Sequence, residues 1–497
     1  MNKGLVNFSL KALLLFFCAV GNYHIEAQEK MNSHSVSPLN VFLGPIPKSI
    51  DPSSVTSFTE FVIIQQLARG LVHIDSDGQV AGDLAEIWKI EGNSTRFIFK
   101  LKENLRFSNG EAITSKNVVG SLMRQMKKGR TIHYDFSNIV SVKEINDREL
   151  EFVLKKADHL FINSLSYPEF SVLHPSDYSR PLNKSCEWKI TSGYTTLYYH
   201  DLEKITLRHS EPSGRLINLI SHLDLSKASG KMGLDFFVGI PPLSEEDHKK
   251  TLLDYETYSP RLSFTYFISV GKKSQLIGDF KRRIDVFSRL YLFRDRLKFS
   301  SPFHSIADQL FLPDGPGRTR SERVFEIKAN HLKSGKASNE KEKFSKNLRI
   351  LVQKNFPYSH DLVGFLESQG YKVKVFIYNN FDDFDVIRNS QEIDLIQTNN
   401  DFSSADLTSN LMVTLNPERP LIEFINNEFI KKAVRKLVNI ADDKERIFLI
   451  QKVEEQLLLD ALVMPIFYFN MNFYVAKERD SSSLSRRFPE VALWKIK

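Results

Sequence analysis

One pattern in the second half of the sequence restricts the fold more than any other. Residues 348–352 have the apolar character of a strand, Ser359 can cap a helix that runs through Leu366 and ends near Gly370, and residues 371–378 alternate apolar and polar side chains. A strand, a short helix and a second strand in this order predict two neighbouring parallel strands joined by a right-handed crossover. We therefore expect an α/β fold with a parallel sheet in this half of the chain.

Composition narrows the class of protein further. The chain has 497 residues, of which 42% are hydrophobic and 26% charged, as in a globular protein of about two to four domains. These values exclude wholesale disorder and a membrane protein with many spans. Two cysteines are too few for a disulfide-rich scaffold. With 67 basic against 60 acidic residues, and no long basic run interleaved with aromatic residues, nothing indicates nucleic-acid binding.

The first 27 residues have the features of an export signal. Lys3 and Lys11 make the start basic, and an apolar run follows at residues 12–20. A run of that length is too short to span a bilayer, which needs about 20 residues. Cleavage can be placed after Gly21 or after Ala27. We expect export to the periplasm.

The two cysteines bear on how the exported protein is held. Cys18 could carry a lipid, but Phe17 stands where lipid-attachment sites usually have a small residue, so soluble export is favoured. Removal of the signal leaves Cys186 as the single cysteine, so no internal disulfide can form.

Local signals place several further elements. Thr114 can cap a helix, and Asp442 begins another in the manner of a capping box. The short stretch 394–396 is expected to be a strand. The charged stretch 326–347 is the strongest candidate for a linker or long loop, and its lysine-rich part, 333–346, is expected to be solvated.

Motifs of common enzymes and cofactor-binding proteins are absent from the sequence. The chain contains no G-x-S-x-G, H-E-x-x-H, G-x-x-x-x-G-K-[ST] or G-x-G-x-x-G. Its histidines are scattered, and none pairs with a cysteine or an acid at a spacing typical of metal ligands. We expect a protein that is not an enzyme and that holds no cofactor and no metal.

Five blocks occur in a fixed order along the chain: 49–52 (SIDP), 67–78 (with LARGLV and DG), 82–88 (GDLAEIW), 99–110 (with FKLK and LRFSNG) and 443–468 (with DKER and MPIFY). In content and order they resemble the peptide-type extracellular solute-binding proteins of family 5, the oligopeptide- and dipeptide-binding receptors of ABC importers. The resemblance covers most of the chain, and residues 210–345 match only loosely. The sequence departs from the family at 191–194, which lacks the usual proline, at Lys116-Asn117-Val118, and at Thr398, where the family has a tryptophan.

The resemblance implies an architecture. It implies a two-lobed α/β periplasmic-binding-protein fold of type II, with an extra domain inserted in the first lobe. On this basis residues 28–70, 185–260 and 476–497 are expected to form the first lobe, 71–184 the inserted domain and 261–475 the second lobe.

The resemblance also implies a function. It implies a periplasmic receptor, monomeric, that closes on short peptides like a hinge and delivers them to a membrane ABC permease. Such receptors hold peptides through strand-like backbone hydrogen bonds, which depend little on side chains.

Candidate site residues follow from the resemblance. Asp401, in a stretch that follows the strand 394–396, is implied as the partner of the peptide's α-ammonium. Because Asn and Ser residues surround it, Asp401 could equally cap a helix or lie in a solvated loop. Thr56, Ser57 and Phe58 are implied as the contribution of the first lobe, although Phe58 could serve only in packing. Tyr266 is a weaker candidate, since an aromatic residue in a strand is usually core.

Three alternatives remain open. The same fold could bind a metal chelate, haem or a sugar, because fold does not fix the ligand. A hydrolase on this scaffold would need a Ser–His–acid cluster in the cleft, for which the sequence gives no support. An interaction protein with a degraded cleft would have lost the volume and charge needed to bind solutes.

Overall fold

A computed structural model describes residues 37–496 except 56, 76–78, 130, 132–133, 211–213, 222–232, 239–245, 247–248, 250–252, 300–302, 314, 316, 342–345, 355, 380, 402–406, 416–420, 424–426, 483 and 485–490. The predicted export signal, Cys18 and Thr56 lie outside the described residues.

The strands are β1 (Leu39–Phe42), β2 (Val72–Ile74), β3 (Val80–Gly82), β4 (Ala85–Glu91), β5 (Arg96–Leu101), β6 (Ile139–Asn146), β7 (Glu149–Leu154), β8 (Thr195–His200), β9 (Lys204–His209), β10 (Leu216–Ile220), β11 (Phe236–Val238), β12 (Tyr255–Val270), β13 (His304–Ile306), β14 (Asn347–Gln353), β15 (Lys372–Tyr378), β16 (Leu395–Asp401) and β17 (Val463–Ala476). The helices are α1 (Phe58–Leu67), α2 (Ser115–Met126), α3 (Phe161–Ser164), α4 (Pro175–Tyr178), α5 (Phe280–Arg294), α6 (Ser321–Lys341), α7 (Ser359–Ser368), α8 (Phe381–Ser390), α9 (Leu407–Thr414), α10 (Glu428–Leu437) and α11 (Asp443–Leu459).

One mixed sheet runs through both lobes. Its strand order is β15-β14-β16-β12-β17-β11-β1-β10-β9-β8, and β13 pairs with β17 beside this path. β14 and β15 are parallel neighbours with α7 between them in the sequence. β14 is also parallel to β16. The parallel α/β sheet predicted from the strand–helix–strand pattern is confirmed.

Two long strands join the halves of that sheet. β12 and β17 pair antiparallel along almost their whole length. On its other side, β17 pairs first with β13 and, further along, with β11. The register shifts between Tyr258 and Leu262, so an irregularity of the bulge type lies where the strands pass from one half to the other. Bulges bend strands and increase their twist, which suits a connection between two bodies.

Separate hydrophobic cores lie on the two sides of these joining strands. One surrounds α1 and the strands β1, β9, β10 and β11, and forms the first lobe. Two more cover the faces of β12, β14 and β16 and form the second lobe. A further core fills the inserted domain, which is built on the antiparallel sheet β4-β5-β7-β6 and on α2. The two-lobed α/β fold class is the predicted one, and β12 and β17 are shared between the lobes.

Local capping signals are confirmed. Asp442 Oδ1 accepts the backbone N–H of Glu445 at 2.7 Å, at the start of α11. Thr114 precedes α2, and its backbone N–H donates to Asn117 Oδ1 at 2.8 Å. Both caps satisfy backbone groups that the first turn of a helix leaves unpaired.

The prediction of a linker at 326–347 is wrong. Most of this stretch belongs to α6, because Glu, Lys and Ala are good helix formers as well as solvated residues. The helix packs closely on α5: a Cβ added at Gly335 would lie 2.4 Å from the Ser288 hydroxyl oxygen. His331, on the same helix, is buried, and its Nε2 donates to the Leu459 carbonyl at 3.1 Å.

Candidate ligand site

The candidate site lies where the joining strands leave the second lobe. Two neighbouring rows of paired residues cross β13, β17, β12 and β16 there: His304–Phe469–Phe264–Asp401 and Ile306–Phe467–Tyr266–Asn399. Directly opposed residues of antiparallel strands lie about 5 Å apart. Beyond the first row, β17 continues to Met471, which packs against the cores of both lobes, and then enters the first lobe. We call this junction the cleft edge of the second lobe.

Asp401 is the last residue of β16, not part of a loop. The prediction that the strand ends at Ile396 is wrong, because pairing with β12 continues to Asp401 opposite Phe264. The pairing overrides the low strand preference of the asparagines in this stretch. Among the described residues β14 pairs with β16 only as far as Gln397, so the last four residues of β16 project beyond its parallel neighbour. Carboxyl ends of strands at such edges are where α/β folds place ligands.

Tyr266 packs among other aromatic rings at this edge. Its ring stacks on Phe467 at a centroid distance of 4.3 Å and meets Phe356 edge-on at 4.8 Å. It is half-buried rather than enclosed. Thr398, where the family has its tryptophan, is 2% exposed. The aromatic side chains of the two rows therefore come from β12 and β17, together with the imidazole of His304 on β13.

Ser57 and Phe58 lie at the N-terminus of α1 in the first lobe. Ser57 Oγ accepts the backbone N–H of Glu60 at 3.2 Å, and Glu60 Oε2 accepts the backbone N–H of Ser57 at 2.9 Å, which forms a capping box. Phe58 is half-buried, with its ring centroid 6.0 Å from that of Phe473 on β17. The start of α1 therefore contacts β17, the same strand that contributes Phe467 and Phe469 to the two rows in the second lobe.

Two residues that the sequence did not single out lie at the cleft edge. His304 Nδ1 is 2.7 Å from the hydroxyl oxygen of Tyr358, the residue before α7. His304 is 8% exposed, and burial lowers its pKa to about 4, so its imidazole is neutral at neutral pH. Its Nε2 is buried without a hydrogen-bond partner among the described residues. Tyr358 has a φ of 59°, in the left-handed region that non-glycine residues rarely enter.

A contact away from the joining strands connects the inserted domain to the second lobe. His159 donates its backbone N–H to the carbonyl of Val438, just beyond α10, at 3.2 Å. Ser94 holds this loop: its carbonyl accepts the N–H of Asp158 at 3.0 Å, and its Oγ is 2.9 Å from His159 Nδ1. Ser94 itself has a φ of 61°. The contact opposes separation of the two bodies.

A buried ion pair fixes the inserted domain on the first lobe. Arg124 of α2 donates to both carboxylate oxygens of Asp51, Nη1 to Oδ1 at 3.0 Å and Nη2 to Oδ2 at 2.6 Å. The two side chains are 1% and 5% exposed. Burial by itself raises the pKa of Asp51, but hydrogen bonds from Arg124 and Ser53 outweigh it, and the pKa is lowered.

Other features of the described residues do not form a comparable site. No group of three or more potential metal ligands comes together there. No helix in the same residues is long and apolar enough to cross a membrane. A cavity of about 230 Å³ opens beside the start of β1. Its Asp235 is already held by Arg479 and by the backbone N–H of Asn40, each at 2.7 Å.

Two lobes joined by a pair of strands, with aromatic and polar residues at the junction, form an arrangement that proteins with hinge closure use to enclose ligands. The sequence model described as "Bacterial extracellular solute-binding proteins, family 5 Middle" matches residues 79–200. The periplasmic oligopeptide-binding protein OppA of Escherichia coli is 21% identical over 485 residues, covering 85% of each chain. Over these stretches the chain is similar to family 5 of the bacterial extracellular solute-binding proteins.

Other relatives match over shorter segments. The probable deoxycholate-binding periplasmic protein YgiS of Escherichia coli is 27% identical over 163 residues, which cover 28% of this chain and 30% of that protein. The matched segments span about a third or less of the length of the first curated relatives. These relatives are named as binding proteins and not as enzymes, in agreement with the prediction that the chain is not an enzyme.

A solved structure confirms the fold over nearly the whole chain. The periplasmic binding protein DppA of Helicobacter pylori, in complex with the peptide STSA, superposes with a TM-score of 0.76 at 16% identity. The match covers 94% of this chain and 99% of that one. The predicted two-lobed fold of type II is confirmed.

Proposed function

We propose that this protein is a periplasmic receptor that captures short peptides in the cleft between its lobes and delivers them to the permease of an ABC importer. The observation that carries the proposal is the placement of one element from each lobe beside the joining strands. The N-terminus of α1 approaches from the first lobe, and the end of β16 approaches from the second. A ligand placed between them contacts both lobes, and its extra contacts in the closed arrangement favour closure.

The proposed roles of the site residues follow from this placement. Asp401 pairs with the α-ammonium of the peptide, because an ammonium group buried without a partner charge loses several kcal/mol of solvation. Thr56, Ser57 and Phe58 contribute from the first lobe, through the backbone in the manner of an added strand. Tyr266 lies beneath the peptide as part of the aromatic surface.

The proposed setting is that of an exported protein. The signal at residues 1–27 is removed, Cys18 is not lipidated, and the mature chain works as a monomer. Residues 28–70, 185–260 and 476–497 act as the first lobe, 71–184 as its inserted domain and 261–475 as the second lobe. The receptor needs no cofactor and binds no nucleic acid.

Native mass spectrometry of the protein purified from its own periplasm tests the proposal. Carried ligands are released and sequenced, and affinities for defined tripeptides are then measured by calorimetry. We expect a ladder of short peptides, and a loss of affinity of about 30-fold or more in Asp401→Asn. Glu144→Gln, on the exposed surface of β6, is the matched control and should bind as the wild type does. An empty protein that also ignores peptides in a thermal-shift assay would instead indicate an interaction protein with a degraded cleft.

A non-peptide solute is the second candidate. The half-buried aromatic side chains at the cleft edge favour it, since a flat apolar solute could lie on them. The relative named for deoxycholate binding supports the same reading. Release of a single non-peptide species in the same mass-spectrometric experiment would decide for it.

A further inference from the structure

Aromatic side chains form a continuous wall at the cleft edge of the second lobe. Its half-buried members are Phe264, Tyr266, Phe299 and Tyr358. Three of them surround the buried ring of Phe467: Tyr266 stacks on it at 4.3 Å, Tyr358 meets it edge-on at 5.2 Å, and Phe299 lies 6.0 Å away. Phe264 is paired with Phe469, two residues further along β17. A hydrophobic core would bury such rings completely. Here each of the four residues keeps part of its surface accessible to solvent.

The pair of His304 and Tyr358 gives the wall a polar handle, which carries no charge at neutral pH. His304 and Tyr358 are joined at 2.7 Å, and the remaining imidazole nitrogen of His304 is buried without a hydrogen-bond partner among the described residues. Because burial lowers the pKa of His304 to about 4, the handle stays neutral at the pH of a cell or its surroundings. An unpaired buried nitrogen is unfavourable.

The backbone at the handle is strained. Tyr358 keeps a left-handed φ of 59° although it is neither glycine nor asparagine. Such outliers persist where the surroundings hold them, and they are common at ligand-binding sites. The strain places the Tyr358 ring between His304, Phe299 and Phe467, with centroid distances of 5.6, 5.7 and 5.2 Å.

The wall lies within reach of the proposed amine anchor. Asp401 is paired with Phe264, and Asn399, two residues earlier, with Tyr266. Opposed residues of antiparallel strands are about 5 Å apart, and two residues of an extended chain span about 7 Å. A peptide held by its amine at Asp401 would therefore bring one of its first side chains over the wall.

We propose that the wall is a specificity subsite of the second lobe that selects ligands carrying an aromatic or large apolar group near the amine. This inference rests on the proposed function and names the class of ligand. Selection follows from contact with the accessible parts of these rings and from the absence of any charged side chain among the six residues of the wall and its handle. A lysine or glutamate side chain would lose its hydration there without gaining a partner charge.

Calorimetric titration with Ala-Phe-Ala, Ala-Ala-Ala and Ala-Lys-Ala tests the inference. We expect Ala-Phe-Ala to bind about tenfold more tightly than Ala-Ala-Ala, and Ala-Lys-Ala no more tightly than Ala-Ala-Ala. Phe299→Leu keeps apolar volume but loses the ring, and Tyr358→Ala removes ring and hydroxyl together. Each should reduce several-fold the ratio of Ala-Phe-Ala affinity to Ala-Ala-Ala affinity, both measured on the same variant.

Matched variants separate recognition from stability. Phe429→Leu removes an exposed ring on α10 and should keep the full preference. The melting temperature of each unliganded variant shows whether it is folded. If Tyr358→Ala does not fold, Phe299→Leu alone provides the test. Equal affinity of the wild type for all three tripeptides, or an undiminished preference in the folded wall variants, overturns the inference and leaves peptide binding intact. Failure to bind any tripeptide overturns the proposed function and this inference with it.

Discussion

Removal of the Arg124 guanidinium from its contact with Asp51 should destabilise the protein strongly. The pair is doubly hydrogen-bonded, and the side chains are 1% and 5% exposed, so solvent cannot replace the lost partner. Breaking a buried ion pair on one side costs about 3–5 kcal/mol, because the remaining charge stays buried without compensation. We expect Arg124→Ala to lower the free energy of unfolding by this amount.

Urea unfolding followed by tryptophan fluorescence is a suitable assay. Trp188 is 1% exposed, and its indole N–H donates to the carbonyl of Ile50, next to Asp51, at 2.8 Å. Its emission therefore reports on this part of the first lobe. The double variant Asp51→Asn/Arg124→Met removes both charges and should lose less than the sum of the single variants. Arg96→Ala, which breaks solvent-exposed ion pairs on the inserted domain, is the control and should leave the midpoint nearly unchanged.

The pH dependence provides a second readout of the same pair. The folded-state pKa of Asp51 is lowered, so its contribution to stability is present above the pKa of an unfolded aspartate and is lost as the pH falls through the folded value. The difference between wild type and Arg124→Ala should therefore shrink in acid. A loss below about 1 kcal/mol in Arg124→Ala, or strict additivity in the double variant, would refute the reasoning.

Three further predictions concern the second lobe and the contacts around the first. Glu454 is fully buried, and burial raises its pKa to about 7. The stability that this group contributes is therefore complete below about pH 4.5 and is lost as the pH rises through 7. The urea midpoint of the wild type should fall over this pH range, and the midpoint of Glu454→Gln should fall less. Gly193→Ala would place a Cβ 2.5 Å from backbone atoms of α1 and should lower the free energy of unfolding by about 1–3 kcal/mol. Gly364→Ala, in α7, meets open space and should raise the free energy of unfolding by about 0.5–1 kcal/mol. Thermal melts that rank the two variants otherwise would contradict the packing argument. Ser94→Gly keeps the left-handed backbone but removes the hydroxyl that holds His159, whose backbone contacts the second lobe. Small-angle scattering of the unliganded variant should therefore show a larger radius of gyration than that of the wild type. An unchanged radius of gyration counts against a holding role for Ser94.

Local signals in the sequence were enough for the architecture. The strand–helix–strand unit and the caps at Thr114 and Asp442 depend on neighbours within a few residues, and all are present in the structure. The helix at 321–341 was missed because its charged residues suit solvent and helix equally, and its packing on α5 decides between them. Local sequence contains no information on that packing.

The candidate site was predicted less completely, for a related reason. β16 extends to Asp401 because it pairs with β12, whose residues lie more than a hundred positions earlier. His304 and Tyr358 meet across 54 positions, and Arg124 and Asp51 across 73. None of these pairs leaves a periodic pattern in the sequence. The one available signal for Tyr358 was its position between the carboxyl end of a strand and the start of a helix, where α/β proteins often carry functional residues.

The shared strands also determine the order in which the chain can fold. Ser263 on β12 donates to Asn470 on β17 across 207 positions, and β11 of the first lobe also depends on β17 for a partner. Contacts between such distant segments close long loops and form slowly. Neither lobe can complete its sheet until almost the last part of the polypeptide has been synthesised. A chain that ends before Val463 would lack β17 and so leave the sheet incomplete in both lobes, although only a small fraction of the residues is missing.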